Sequence, residues 1–237
     1  MKSELQPAFV FFHVGMDIAE PSMLVASILL SNPSASITQC SDHETPAVAG
    51  ITNLVRLEGN SDRLMTFRIN AFSALHLDKP AIYLDTDMIV LSELSPEALL
   101  GGKEALLCQR EFGLDLFHTG SMRDVSFPEH KGRPMAEVYP YLACATVTKD
   151  YTVWADLHNI LNTLDNRFHI WYGDQEAMRL WVHRNSQNRD IGILPESKFA
   201  CLPEEKEHLA GASILHFKGA ARKSLMRELF LSLAHSQ

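Results

Sequence analysis

The chain reads as an α/β fold, a single domain with a mostly parallel central sheet flanked by helices. Three observations carry that reading. Short runs rich in Phe, Val and Ile alternate with longer stretches of helical period, the breaks between them fall at Gly, Asn and Pro, and 46% of the 237 residues are apolar, enough for one sizeable core. Residues 8–14, with Phe9-Val10-Phe11-Phe12, read as a first central strand. Gly15-Met16-Asp17 turns the chain, and residues 21–30 read as a helix with Pro21 early and Asn32-Pro33 as its stop. Residues 36–40 and 53–57 are the next short strands. Residues 61–77 give the clearest helix: Leu64, Phe67, Ala71, Phe72 and Leu75 keep the period, and Ser61 or Asp62 can cap it. Residues 80–84 read as a strand, 94–100 as a short helix and 105–108 as another strand. Residues 110–133 mix glycines with charges and aromatics, show no sustained period, and read as a long loop, either a functional lid or a disordered segment. Residues 139–148 return to strand. Asp150 caps a helix running to Leu164, residues 173–183 form a further helix with Asp174 at its start, and 214–217 are a last strand before Gly219 and a basic C-terminal helix. No internal repeat, low-complexity stretch or linker divides the sequence, so residues 1–237 are expected to form one domain.

The net charge is −8, with acids and bases interspersed and no basic patch, which argues against nucleic acid as a partner. The four cysteines, Cys40, Cys108, Cys144 and Cys201, are far apart and form no CxxC. They read as reduced, buried thiols of a cytoplasmic protein. Lys2 is followed by Glu4 and Gln6, and the apolar run at Phe9 ends at His13, a strand pattern rather than a signal peptide. No apolar run approaches the ~20 residues of a membrane helix, so no transmembrane segment is expected.

The segment Ala81-Ile82-Tyr83-Leu84-Asp85-Thr86-Asp87-Met88-Ile89-Val90 sets two acids inside otherwise core-like sequence. An unpaired buried carboxylate costs several kcal/mol or takes up a proton. Side chains at i and i+2 of an extended segment share a face, roughly 6–7 Å apart at Cα, so the two carboxylates can converge on one hard divalent ion. Ligands of such sheets lie beyond the strands' carboxyl ends, and His13, Asp42, Asp85 and Asp87 all stand at such ends. His13 and Asp42 rest on position alone and read as structural.

This segment resembles the Asp-x-Asp motif of GT-A glycosyltransferases, most closely glycosyltransferase family 8, which includes glycogenin and bacterial galactosyltransferases. The resemblance implies a GT-A domain in which Asp85 and Asp87 hold manganese (or magnesium) bridging the diphosphate of a nucleotide-sugar donor, a UDP-sugar being favoured. A second match, Ile214-Leu215-His216-Phe217-Lys218-Gly219-Ala220-Ala221-Arg222-Lys223, implies His216 as a third metal ligand through Nε2 or Nδ1. It also implies Gly219 as a point of backbone approach to phosphate, and Arg222 or Lys223 as the neutralising cation. On its own, His216 reads as a core histidine. The family's lysine usually stands six residues after the histidine, where this chain has Arg222, and the Pro-Trp that often follows is missing. Trp171-Tyr172-Gly173-Asp174-Gln175-Glu176 resembles the family's Asp-Gln pair at the transferred sugar, although Asp174 alone would serve as a helix cap. Arg68 resembles the family's arginine on the helix before the Asp-x-Asp strand, reaching the donor; alone it reads as a snorkelling side chain. One match fails: where the family has Phe-Asn-x-Gly with a sugar-contacting Asn, this chain has Tyr141-Leu142-Ala143-Cys144-Ala145.

The resemblance therefore implies a metal-dependent transfer of a sugar, with retention, to a carbohydrate, lipid or protein acceptor that the sequence does not identify. Asp174 or Gln175 would stabilise the anomeric centre, and Arg68, Asp85, Gly219, Arg222 and Lys223 would bind the donor. Two other readings compete. One is a non-catalytic nucleotide-sugar or carbohydrate-binding module on the same scaffold. The other is a haloacid-dehalogenase-type phosphatase with Asp85 as nucleophile, against which stands the continuation into Met88-Ile89-Val90 with no later Asp-Asp pair.

Overall fold

The computed structural model describes residues 6–112 and 125–235. In chain order the elements are β1 (Ala8–Phe12), α1 (Ala19–Ser31), β2 (Ser36–Ser41), β3 (Asn53–Arg56), α2 (Leu64–Ala74), β4 (Ala81–Leu84), β5 (Met88–Val90), α3 (Pro96–Leu100), β6 (Ala105–Gln109), α4 (Met135–Val138), β7 (Tyr141–Thr148), α5 (Thr152–Leu161), α6 (Asn166–Ile170), α7 (Gly173–Asn185), β8 (Ile191–Pro195), α8 (Glu196–Phe199), β9 (Ile214–His216) and α9 (Ala220–His235). Most of the loop expected over residues 110–133 lies outside the described residues. In its described part Val125 and Phe127 are buried in the core and residues 128–130 form a 3-10 turn.

Seven strands form one sheet in the order β3-β2-β1-β4-β7-β6-β8. All pairings are parallel except those of β7, which runs antiparallel to β4 and β6. Six strands therefore end at one edge, and β7 begins there. Every residue of β1 is buried because helices cover both faces. Ala8, Val10 and Phe12 face a layer of α2, α5 and α7, with Phe67, Phe72, Trp154 and Trp181. Phe9 and Phe11 face the opposite layer, against Leu24 and Ile28 of α1. Each such large apolar side chain contributes roughly 1.5–3 kcal/mol of transfer free energy. This burial on both faces is why the strand reads as a continuous apolar run.

β5 and β9 form a separate antiparallel ribbon, with Met88 opposite His216. That register brings the residue before Met88, Asp87, alongside the end of β9, and the Phe217 N–H donates to the Asp87 carbonyl at 2.8 Å. Ser27 of α1 braces the ribbon: its Oγ accepts from the Val90 N–H at 3.0 Å. The helix expected from residue 61 begins as a 3-10 turn over 61–63, and its cap is Asn60, whose side chain accepts from the Asp62 N–H. β8 carries no alternation that a sequence pattern could register: Gly192 interrupts it and Ile193 is exposed at the sheet edge. Among the described residues no helix is long and apolar enough to cross a membrane.

Candidate functional site

The site forms where β1, β4 and β6 end, β7 begins, and the β5–β9 ribbon crosses. Asp85 follows the last residue of β4, and its N–H donates to the Cys144 carbonyl of β7 at 2.9 Å. Asp87 precedes β5, and His216 ends β9. Asp85, Asp87 and His216 each offer a ligand atom, and the three atoms lie within 4.8 Å of one another. Donors around a small hard cation at roughly 2.1 Å span about 4.2 Å, so the cluster is close to the required spread. The donor chemistry also fits a divalent ion: the two carboxylates suit manganese or magnesium, and the imidazole favours a transition ion such as manganese over magnesium. His216 is buried, its Nε2 stands 3.4 Å from Asp87 Oδ1, and its Nδ1 has no hydrogen-bond partner.

The electrostatics follow from burial and neighbours. Burial raises the Asp85 pKa, and Asp87 adds to the rise while Arg68 opposes it. For Asp87 burial pushes upward too, but the hydrogen bond from His216 and the charge of Lys223 outweigh it and hold the carboxyl below its ordinary value. Burial would lower His216; the adjacent Cys144 sulfur and Asp87 carboxylate prevail and raise it to about 10.

Arg68 joins two halves of the site. From α2 its Nη1 donates to Asp85 Oδ1 at 2.6 Å, and its Nη2 donates to Asp174 Oδ2 at the start of α7. Its side chain is 12% exposed and that of Asp174 is 6% exposed, so the pair is well shielded from water. Asp174 does not cap the helix: the N-cap is Tyr172 in the left-handed region at φ 59°, and Asp174 Oδ1 accepts from the Gln175 N–H at 2.7 Å. Gln175 Oε1 accepts from Arg110 Nη2 at 3.0 Å.

The two cations at the head of α9 diverge. Arg222 turns to Glu204 and to the Lys218 carbonyl. Lys223 lies 3.8 Å from Asp87 Oδ2 and also pairs with Glu20. Gly219 has φ 85°, a conformation glycine adopts freely and other residues rarely. Asp42 is occupied by its own turn, accepting from the Glu44 and Thr45 N–H groups, and the His13 N–H joins β2 at the Cys40 carbonyl. The segment that lacks the family's Asn carries no amide near Cys144; the Cys144 sulfur is buried beside His216, and its carbonyl accepts from the Asp85 N–H.

Two polar residues of this edge went unnoticed in the sequence, Arg110 after β6 and Glu196 after β8. Glu196 is fully buried. Its Oε2 accepts from the N–H groups of Glu111 and Phe112 at 2.7 and 2.8 Å, and its Oε1 lies 3.7 Å from Lys218 Nζ. The signal that selected Asp85, a polar residue directly after an apolar strand, is blurred at both: polar Gln109 and Glu111 flank Arg110, and the strand before Glu196 shows no alternation.

No family model matches the chain, and no curated protein matches it by sequence. Solved structures do. The glycosyltransferase GlyE of Streptococcus pneumoniae TIGR4 superposes with a TM-score of 0.59 at 13% identity, over 96% of this chain and 61% of that one. A glycosyltransferase involved in glycosylation of the major capsid of PBCV-1 matches with a TM-score of 0.58 at 11% identity, over 93% of this chain and all of that one. The bifunctional glycosyltransferase WbbM matches with a TM-score of 0.54 at 14% identity, over 93% of this chain and 47% of that one. The chain thus spans about three fifths of GlyE. At these identities the likeness establishes the architecture: the chain has the α/β fold of these glycosyltransferase structures, with an acidic cluster at the strand ends.

Proposed function

We propose that the chain is a metal-dependent glycosyltransferase that moves a sugar from a nucleoside-diphosphate donor, a UDP-sugar first among them, to a carbohydrate, lipid or protein acceptor, with retention at the anomeric carbon. The observation that carries this reading is the convergence of Asp85, Asp87 and His216 within 4.8 Å, at the strand ends of a glycosyltransferase-like fold. These three residues would hold manganese or magnesium, which when bound supplies Lewis-acid stabilisation of the diphosphate leaving group. Lys223, beside Asp87, adds positive charge where negative charge develops, whereas Arg222, the other cation expected there, is held by Glu204 and the Lys218 carbonyl. Gly219 allows the backbone to approach a phosphate. Arg68 fixes Asp174 and Asp85 relative to each other, so the sugar-side acceptors of α7, Asp174 and Gln175, are positioned against the metal-side carboxylate. Four free, buried cysteines support a reducing, cytoplasmic setting.

Thermal shift with UDP, GDP, ADP and their sugars, with and without manganese, tests the reading. A nucleotide that binds the folded state raises Tm by mass action. The expected result is a shift that requires nucleotide and metal together, and no shift with any pair would sink the proposal. A second reading, a binding module without turnover, draws on the segment Tyr141-Leu142-Ala143-Cys144-Ala145, which gives β7 no amide for the sugar. Donor binding without transfer or hydrolysis would favour it.

A further inference from the structure

Arg110 is held in place from every side. Its N–H donates to the Pro140 carbonyl at 2.8 Å, and its Nε donates to the Tyr139 carbonyl at 3.0 Å. Its Nη2 donates to Gln175 Oε1 at 3.0 Å. The two residues after it are fixed by the buried Glu196 carboxylate. Its partners are therefore all neutral, and among the described residues it forms no ion pair.

The acids around it are committed elsewhere. Asp174 pairs with Arg68, Glu176 pairs with Arg179 through both oxygens, and Glu111 Oε2 accepts from the Ser197 N–H. A guanidinium carries five N–H donors in a planar fork matched to carboxylate and phosphate. Among the described residues two donors are used, which leaves three on a half-buried cation beside Gln175. A fixed, partly desolvated cation without a counter-ion gains most from a ligand that brings one, and ordering it beforehand lowers the cost of binding.

The geometry points to Arg110 as a specificity-determining residue that recognises an anionic group, a carboxylate or phosphate, on the sugar at the Gln175 end of the site. This inference rests on the glycosyltransferase reading and narrows it. The donor sugar is a hexuronate or a similarly charged sugar, with the same group on the acceptor as the other source of that chemistry.

Calorimetric titration in manganese of matched donors, UDP-glucuronate against UDP-glucose and GDP-mannuronate against GDP-mannose, tests it on the wild type, Arg110→Gln and Arg110→Lys, with UDP and GDP as controls. The expected result is an affinity about tenfold or more higher for one acidic donor than for its neutral partner, the scale of a charge-assisted hydrogen bond. Arg110→Gln should erase that preference and Arg110→Lys should restore part of it, with the affinity for the nucleoside diphosphate unchanged in both. In a second arm, glucuronate or glucose 6-phosphate is added to protein saturated with UDP or GDP. Binding there that Arg110→Gln abolishes supports the same recognition with the charge on the acceptor. Nucleotide binding with no charge preference in either arm, or a preference that survives Arg110→Gln, overturns the inference and leaves the transferase reading intact. Failure of UDP and GDP to bind here, and of ADP in the thermal-shift screen, overturns the two together.

Discussion

Replacing Arg68 by Met removes the one side chain that touches both halves of the site while keeping most of its apolar stem. Breaking a buried ion pair by deleting one partner costs ~3–5 kcal/mol, because the other charge stays buried without compensation. Asp174, at 6% side-chain exposure, bears that loss fully; Asp85, at 31%, recovers part of its hydration. The expected destabilisation is therefore about 3 kcal/mol, the lower end of that range. In a domain of this length 1 kcal/mol moves Tm by ~2–4 °C, so Arg68→Met should melt roughly 6–12 °C below the wild type, as read by circular dichroism. The mechanism makes a second demand. If the orphaned Asp174 carboxylate is the source of the loss, Arg68→Met/Asp174→Asn should be more stable than Arg68→Met alone, a non-additivity expected of direct contacts. A single variant melting within about 2 °C of the wild type, or a double variant no better than the single, would refute the reasoning.

Asp87→Ala should abolish manganese-dependent transfer or donor hydrolysis in a turnover assay, and His216→Ala should weaken manganese binding measured by titration; unchanged metal affinity in the second would return His216 to the role of a core residue. Gly173→Ala should destabilise by ~3 kcal/mol, the upper range for overpacking, since an added Cβ would lie 1.9 Å from the Phe168 carbonyl oxygen and 2.6 Å from Leu161 Cδ1; urea unfolding with an unshifted midpoint would contradict this. Hydrogen bonding from Arg222 depresses the Glu204 carboxyl below its ordinary value of 4.5, against the opposing effect of burial. That contribution is present above pH 4.5 and is lost as pH falls through the depressed folded value. The Tm gap between wild type and Arg222→Met should therefore narrow on acidification, and a gap constant with pH would count against it.

The parts of the fold that could be read from sequence are those whose side chains answer to one environment. β1 and β4 are buried on both faces, so their apolar runs stand out. α2 packs Phe67, Ala71 and Phe72 onto the sheet, so its period stands out. The elements that escaped are short or lie at an edge. α6 has five residues and α8 four, too few to display a period, and β8 pairs on one side only. β5 was legible as apolar sequence but not as a ribbon strand, because its partner β9 lies more than a hundred residues away and nothing local specifies their pairing.

The candidate site divides along the same line. Asp85 and Asp87 were visible because acids inside a core-like run conflict with their surroundings, and the conflict itself is the signal. Arg110 and Glu196 sit at equivalent strand ends and carry the same signal, but each opens a stretch whose neighbours are already polar, so the contrast is lost. Cys144 shows the opposite limit. A sequence comparison weighs side chains and finds the family's Asn missing near it, whereas the contact Cys144 makes with Asp85 uses the carbonyl oxygen, which every residue possesses. Support for the acidic pair can therefore persist at this position whatever the side chain, while contact with the sugar cannot. On the proposed transferase reading, sugar selection lost from β7 would have to come from another element at this edge, and Arg110, held against Gln175, is the residue proposed to supply it.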